Sequence, residues 1–590
     1  MTKINVNRNI LWTRSFVNEL AMLGVKYVSI SPGSRNTPLT LAFANNKKIK
    51  AFIHIDERSS GFFALGVAKA SHSPVAVVCT SGTATAELYP SIVEAYQQRV
   101  PLIICTADRP AELLNRGANQ TINQENIYKN HIRWFYDAGL PDPGIDKLRN
   151  IKLAAINAVH YSTIKSRGPV HINFPFKKPF EPKSYTDGID EKTLFFAENT
   201  IPVKERPCND NENDTDIITQ KWFLDIFNYF EKFERGLIIA GPDNYNPEFL
   251  NICQLLSRKL SYPLLADGTS QFRFGNHSKD NIIVNYDAFL RPGKFSTSHQ
   301  PDIIIQFGRT VTSKGLDNFL SNCTAARFMV NEYGDWFDPA GKAAAAYACK
   351  PYIFCSEMIR LLDSIKFSRG NSPWLEAFNL EEKKSSILKS KIINCSDFPD
   401  ESRIVNEILK AVPDDCQIMI SNSMPVRDFD YFASFSEKKI IIHSNRGASG
   451  IDGITSTALG IAAANKKPTL LITGDLAFYY DLNGLLSAKN YKIPLVIVLI
   501  NNNGGGIFKM LPISKYGEIF KKYFVAAHGL EFKNLVKAFS GNYKLIKSWK
   551  VLKSSLHSAF KAKQLSVLEI KTNASHSHKT RQKYWKAAAK

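Results

Sequence analysis

Short apolar runs recur along this chain, each closed by a turn residue or an acid and followed by a helical pattern. That alternation leaves few solutions. Strands apolar on both faces lie in parallel sheets, and parallel strands need crossover helices. VKYVSI, KAFIHI, PVAVVCT, PLIICTA and GPVHINFP form a first set. RGLIIAG, SYPLLAD, PDIIIQFG and ARFMVNEY form a second. CQIMISN, KKIIIHSN, PTLLITGD, PLVIVLINN and QLSVLEIKT form a third. The expectation is three doubly wound parallel-sheet α/β domains, at residues 1–185, 217–366 and 401–590. Residues 186–216, with the Asn/Asp-rich IPVKERPCNDNENDTD, read as a linker. So do 367–400, which carry one charged helix, WLEAFNLEEKKSSILKSK. The dense KTRQKYWKAAAK reads as a basic C-terminal tail on the third domain.

A length of 590 residues exceeds what one ordinary core organises. No apolar run reaches the roughly 18 residues of a membrane helix, and MTKINVNRNILWTRSF has no signal-peptide pattern. Nine cysteines lie scattered, without a CxxC pair, which disfavours zinc and a disulfide framework and suits a reducing cytoplasm. Charge is 75 − 54 = +21. Such a balance fits nucleic acid, an acidic membrane surface or anionic substrates. The lysines are spread thinly, and no zinc-finger spacing, RNP motif or long basic helix accompanies them. A solvated Lys-rich surface is the reading for most, with neither nucleic acid nor membrane insertion expected. A basic nucleic-acid-binding protein stays as the alternative from another class.

The stretch GDLAFYYDLNGLLSAKNYKIPLVIVLINNNGGGIF, Gly474–Phe508, carries the sharpest chemistry. PTLLIT ends at Gly474-Asp475, DLNGLLSAKN reads as a helix, and PLVIVLI ends at a triple Asn. In a βαβ unit both carboxyl ends share one sheet edge, where open α/β sheets bind ligands. Asp475 and Asn502 would then be neighbours despite a gap of 502 − 475 = 27 residues. A carboxylate, an amide oxygen and a backbone carbonyl from the glycines are hard oxygen donors, too few for Ca²⁺. They suit Mg²⁺ that takes its other oxygens from water and a phosphate. Alone, Gly-Asp reads as a helix cap and Asn-Gly as a turn; the pairing favours the ion.

A GD followed by NN at this spacing resembles the thiamine-diphosphate-binding motif, whose superfamily has three α/β domains in this order. The resemblance implies thiamine diphosphate with Mg²⁺, Mn²⁺ being the alternative, held by Asp475, Asn502 and the Gly504 carbonyl. It implies that Glu57, in AFIHIDERSSGFFALG, hydrogen-bonds the aminopyrimidine ring as a catalytic acid. Read alone, Glu57 is a charge at a helix N-terminus. Eight segments resemble one family more closely: SPGSRNTPLT, HIDERSSGFFALG, TSGTATAELYPSIVEA, TADRPAEL, GANQTINQ, SNSMPVRDFD, SNRGASGIDG and NNNGGGIFKMLP. These are similar to the 2-succinyl-5-enolpyruvyl-6-hydroxy-3-cyclohexene-1-carboxylate synthases, transferases of menaquinone biosynthesis. The resemblance implies decarboxylation of 2-oxoglutarate and addition of the succinic-semialdehyde carbanion equivalent to isochorismate.

Both substrates are dicarboxylates, and Arg grips carboxylate with a two-pronged fork. Arg35, Arg109, Arg427 and Arg446 lie inside those segments. Ser34 and Arg35 follow Pro-Gly in a strand-to-helix turn whose N–H groups suit an anion. The resemblance adds Gln120, Ser423 and Lys314 as substrate contacts. It adds Ser34, Ser81 and Gly82 as cofactor contacts, and Ile507, Phe508 and Leu511 as the apolar wall of the cofactor. Gly315 follows Lys314 where some family members carry Arg. The resemblance also implies a homodimer or homotetramer, with Glu57 of one copy facing Asp475 of another. Another 2-oxoacid carboligase, similar to acetolactate synthase, is the alternative within the superfamily.

Overall fold

The computed structural model describes residues 4–183, 186–201 and 220–590. The polar stretch 202–219, most of it in the linker expected above, lies outside the described residues. Eight strands belong to the first domain: β1 (Ile4–Val6), β2 (Tyr27–Ile30), β3 (Lys50–Ile53), β4 (Val75–Cys79), β5 (Leu102–Asp108), β6 (Phe135–Asp137), β7 (Val170–Pro175) and β8 (Asp187–Ile189). Six make a parallel sheet in the order β3-β2-β4-β5-β7-β6. Every residue of β4, β5 and β7 is buried; β4 is one unbroken apolar run, while β5 and β7 bury Thr106 against His171 (2.7 Å) and Asn173 (3.0 Å). β1 and β8 pair antiparallel beside it.

The central domain holds β9 (Gly236–Ala240), β10 (Leu264–Ala266), β11 (Ile282–Ile283), β12 (Ile303–Phe307), β13 (Ala326–Asn331) and β14 (Ala345–Ala348), parallel in the order β11-β10-β9-β12-β13-β14. The third holds β15 (Cys416–Ile420), β16 (Ile440–Ser444), β17 (Thr469–Gly474), β18 (Val496–Asn501), β19 (Asn542–Leu545) and β20 (Ser566–Lys571), ordered β16-β15-β17-β18-β20-β19. Counted from their own first strands, the outer sheets share one winding, 2-1-3-4-6-5. The central sheet is wound 3-2-1-4-5-6, the doubly wound order of dinucleotide-binding domains.

The outer domains share one core. Phe62, Phe63 and Leu65 of the helix Glu57–Ser71 pack with Ile454, Ala458 and Leu459 of the helix Ile454–Asn465. The two helices cross backbone to backbone. A Cβ on Gly66 would land on the Thr457 carbonyl, and one on Gly460 on the Phe63 carbonyl. No side chain fits either place.

Three expectations are corrected. Residues 187–198 are not linker: β8 pairs with β1, and the helix Glu191–Glu198 packs Ala197 beside Leu11 and Leu148. The helix expected over DLNGLLSAKN begins later, as a 3-10 turn (Leu482–Gly484) that leads into the helix Leu485–Tyr491, and a separate helix, Asp475–Tyr480, ends just before Asp481. Asp481 is buried, accepting from Ser456 N–H (2.6 Å), Ser456 Oγ (2.9 Å) and Ser59 Oγ (3.2 Å). Third, the basic tail is the helix Ala574–Ala588, capped by Asn573, with Tyr584 and Trp585 buried against the region of Ile393 and Tyr431. Its polar sequence hid that seat.

Candidate functional site

A cavity of about 330 Å³ opens at the carboxyl edge of the third sheet. Asn422 and Ser423 reach it from beyond β15, Arg446 from beyond β16, Asp475 from just past β17, and Asn502 and Gly504 from just past β18. Arg427 comes from the helix Met424–Phe432, and Ile507 and Phe508 from the turn Gly506–Met510. Asp475 and Asn502 are therefore brought together, as the shared edge requires.

Asp475 is buried. Its Oδ1 accepts from Leu476 N–H (2.8 Å) and its Oδ2 from Gly504 N–H (2.9 Å), with His528 Nε2 at 3.2 Å. Burial pushes its carboxyl up, and these donors offset part of that rise. Asn502 donates Nδ2 to Glu401 Oε1 at 3.0 Å, while its Oδ1 is buried without a partner. Gly504 has φ +133°, and a Cβ there would strike the Val525 carbonyl. Its own carbonyl accepts from Gly506 N–H at 2.9 Å, which leaves one lone pair. Among the described residues no group of three His, Cys, Asp or Glu could hold a metal. The set that remains is a carboxylate, an unpartnered amide oxygen and a carbonyl, and it fits a hard divalent cation that shares a phosphate.

Arg427 Nη1 donates to the Ser423 carbonyl (2.6 Å), and Ser423 sits at φ +73°. Arg446 is held from the first domain. Glu94 accepts from Gly447 N–H (2.8 Å) and Ala448 N–H (2.7 Å), and buried Lys69 donates to the Ser444 carbonyl (2.6 Å) and Asn445 Oδ1 (2.9 Å).

A second group gathers at the carboxyl edge of the first sheet. Arg109 touches the Ser81 hydroxyl, and Gln120 Nε2 donates to the Ser81 carbonyl at 3.0 Å. Gly82, at φ +84°, donates to Gln124 Oε1 (2.9 Å). Arg35 donates to the Phe176 carbonyl and lies over the Phe180 ring. Burial and neighbouring Arg109 pull its guanidinium down to about 10. Ser34 is exposed in the turn beside it.

Glu57 is outside the cavity lining and lies on the first domain, close enough to Cys79 at the end of β4 to affect its thiol. It opens its helix beside the Asp56 cap, where burial pushes its carboxyl up, with Asp56 and Glu87 adding to the rise. Around it lie exposed Ile55 and, through Arg58, exposed Tyr480. Two expected contacts stand apart from the cavity. Leu511 is 46% exposed and outside the lining, because the chain turns away after Met510. Lys314 is exposed and paired with Asp317 at 2.8 Å.

Several residues escaped the sequence reading: Glu401 and Asp428 in the cavity lining, Arg581 bound to both, His528 on Asp475, and Lys69 with Glu94. Asp428 and Glu94 lie inside two of the quoted segments, yet nothing in those segments marks them for a role, and the others lie outside all eight. Each gains its meaning from a partner on another element, distant in sequence.

The fold and this site define a thiamine-dependent enzyme. Residues 12–127 match the thiamine pyrophosphate enzyme, N-terminal TPP binding domain. Residues 211–420 match the middle domain and 430–570 the C-terminal TPP binding domain. Solved structures of a thiamine diphosphate-dependent 4-hydroxybenzoylformate decarboxylase of Rhodococcus jostii RHA1 and a benzoylformate decarboxylase of Polynucleobacter necessarius share the fold. Their TM-scores are 0.67 and 0.68, at 16% identity, covering 95% and 97% of this chain and 99% of each of theirs. Nearer in sequence is a 2-succinyl-5-enolpyruvyl-6-hydroxy-3-cyclohexene-1-carboxylate synthase of Bacillus cytotoxicus, 37% identical over 97% of this chain and 95% of its own. Enzymes of the same name from Haloquadratum walsbyi (36%; 98% and 97%) and Chloroflexus aurantiacus (37%; 95% and 93%) match as fully. The chain belongs to the 2-succinyl-5-enolpyruvyl-6-hydroxy-3-cyclohexene-1-carboxylate synthase family.

Proposed function

We propose that the chain decarboxylates 2-oxoglutarate and transfers the resulting four-carbon unit to isochorismate. The products are 2-succinyl-5-enolpyruvyl-6-hydroxy-3-cyclohexene-1-carboxylate and CO₂, in menaquinone biosynthesis. One observation carries the reading beyond family membership: a single cavity joins an oxygen set for a cation to two guanidinium groups for carboxylates. Bound thiamine diphosphate supplies the electron sink for decarboxylation. Asp475, Asn502 Oδ1 and the Gly504 carbonyl would hold Mg²⁺, and through it the diphosphate. Ile507 and Phe508 would wall the reacting centre from water. Arg427 and Arg446, with Ser423, would orient one dicarboxylate. Arg35, Arg109 and Gln120, with Ser34, Ser81 and Gly82 beside them, would serve the first-domain face of the site. Lys314 would have to leave Asp317 to take part.

Glu57 would hydrogen-bond the aminopyrimidine ring of cofactor bound to a second copy. Its raised pKa lets it keep a proton at a higher pH than a solvated Glu. Its separation from the cavity, and the exposed Ile53, Ile55, Tyr479 and Tyr480, support a homo-oligomer with sites between chains. The eight described cysteines are free thiols, which suits the cytoplasm. Among the described residues no helix is long and apolar enough to cross a membrane.

The test is isochorismate consumption, followed by its ultraviolet absorbance with 2-oxoglutarate, thiamine diphosphate and Mg²⁺. Loss of signal only in the complete mixture is expected. No loss, with cofactor bound, would move the activity to another 2-oxoacid.

A further inference from the structure

Asn502 is joined to the last helix of the chain through buried charge. Glu401, 1% exposed, accepts Asn502 Nδ2 on Oε1 (3.0 Å), together with Thr572 Oγ1 (2.8 Å). Its Oε2 accepts from Arg581 Nη2 at 2.9 Å. Arg581, 2% exposed, is itself forked onto Asp428, with Nε to Oδ1 at 2.7 Å. The Glu401 N–H donates to Ser577 Oγ (3.1 Å) on the same helix.

A side-chain amide can turn over, exchanging oxygen for NH₂ with little change of shape. At Asn502 the choice decides the chemistry, since NH₂ facing a cation repels it. An ionised carboxylate only accepts hydrogen bonds, so Glu401 demands the NH₂. The oxygen must then face the cavity, where it lies without a partner beside Asp475. Gly506 makes room for this, because a Cβ there would crowd Asn502 Nδ2 at 2.6 Å.

We propose that Glu401, held by Arg581 of the helix Ala574–Ala588, is a positioning residue for the metal–diphosphate site, turning the Asn502 oxygen toward the cation. This rests on the reading of Asn502 as a cation ligand. Arg581 keeps Glu401 accepting, and Asp428 keeps Arg581 in place.

The experiment is calorimetric titration of thiamine diphosphate into the full chain across a series of Mg²⁺ concentrations, with melting of the unliganded protein as the fold control. Glu401→Gln offers a donor as well as an acceptor and frees the Asn502 amide to turn. Mg²⁺ should then bind about tenfold more weakly or worse, the scale of losing such a supporting contact. Adding Asn502→Asp should restore binding to within about threefold of wild type on that scale. Either carboxylate oxygen then serves the cation, and the other accepts from the amide introduced at position 401. A merely structural role would not be rescued this way. Arg581→Lys keeps the charge and loses the fork, and should weaken Mg²⁺ by a smaller factor, about threefold. Wild-type Mg²⁺ dependence in folded Glu401→Gln, or in Arg581→Lys, overturns the proposal, as does a double variant no better than the single. Wild-type protein that takes up no cofactor with Mg²⁺ overturns instead the reading on which it rests.

Discussion

Asp475 and Asn502 were legible from sequence because their geometry follows from topology. Each ends a buried strand, and successive parallel strands end on one edge. Glu57 was legible only through resemblance, since in one chain it lies away from the cavity. Glu57→Gln should leave the melting temperature near that of wild type and lower turnover at least about a hundredfold, the scale of a lost acid–base group. Wild-type turnover in the folded variant counts against the role. Glu94 lies inside one of the quoted segments, but its task was not legible there, because a carboxylate on a helix usually faces water. Here it is 3% exposed and holds the Arg446 loop by two backbone N–H groups. Glu94→Gln keeps one acceptor at most for those donors. It should raise KM for one dicarboxylate about tenfold while changing kcat less, the cost of a displaced charged hydrogen bond. Steady-state kinetics with each substrate varied would show it, and an unchanged KM for both would refute it.

The strands found from sequence are those buried on both faces or rich in Ile and Val. β6, β11, β14 and β19 lie at or next to sheet edges and read as FYD, II, AAYA and NYKL. With one flank open or lightly covered, they need no continuous apolar run. The helix expected from Asp481 starts later than its sequence suggests for another reason. Its periodicity is helical, but a buried carboxylate shared by three donors outweighs one turn of backbone bonds. At the crossing of Glu57–Ser71 and Ile454–Asn465, Gly460→Ala drives a methyl into the Phe63 carbonyl. Overpacking of this kind costs about 1–3 kcal/mol or more. The variant should melt several degrees below wild type, and an equal melting point would mean the helices separate at no cost.

For the whole molecule, sites shared between copies make a distinct expectation. If the site is shared between two copies, Glu57→Gln and Asp475→Ala chains should each be inactive alone. Unfolded together and refolded, about half the dimers are mixed, each with one intact site, so about a quarter of wild-type activity should return. No return would place Glu57 and Asp475 in one chain's site. Acid stability follows from three buried histidines. Burial lowers His54 to about 4, and His171 and His443 each to about 3. The unfolded chain takes up these protons near pH 6.5 and the folded chain does not. Their contribution is whole above pH 6.5 and is lost as pH falls toward 4 and 3, by up to about 1.4 kcal/mol per histidine per pH unit. Thermal midpoints should fall through that window, and His171→Asn should flatten the slope. The outer sheets share one winding, and their crossing helices each follow the second strand. Gly66 rests on residue 457 and Gly460 on residue 63, each three places before the opposing glycine. The contact is its own mirror under exchange of the two halves, like that of a symmetric dimer written into one chain. Backbone cannot step aside as a side chain can, so these two positions admit no side chain, while the side chains around them can exchange volume. The two halves can thus differ in chemistry, with Glu57 on one and Asp475 and Asn502 on the other, without a change in how they join.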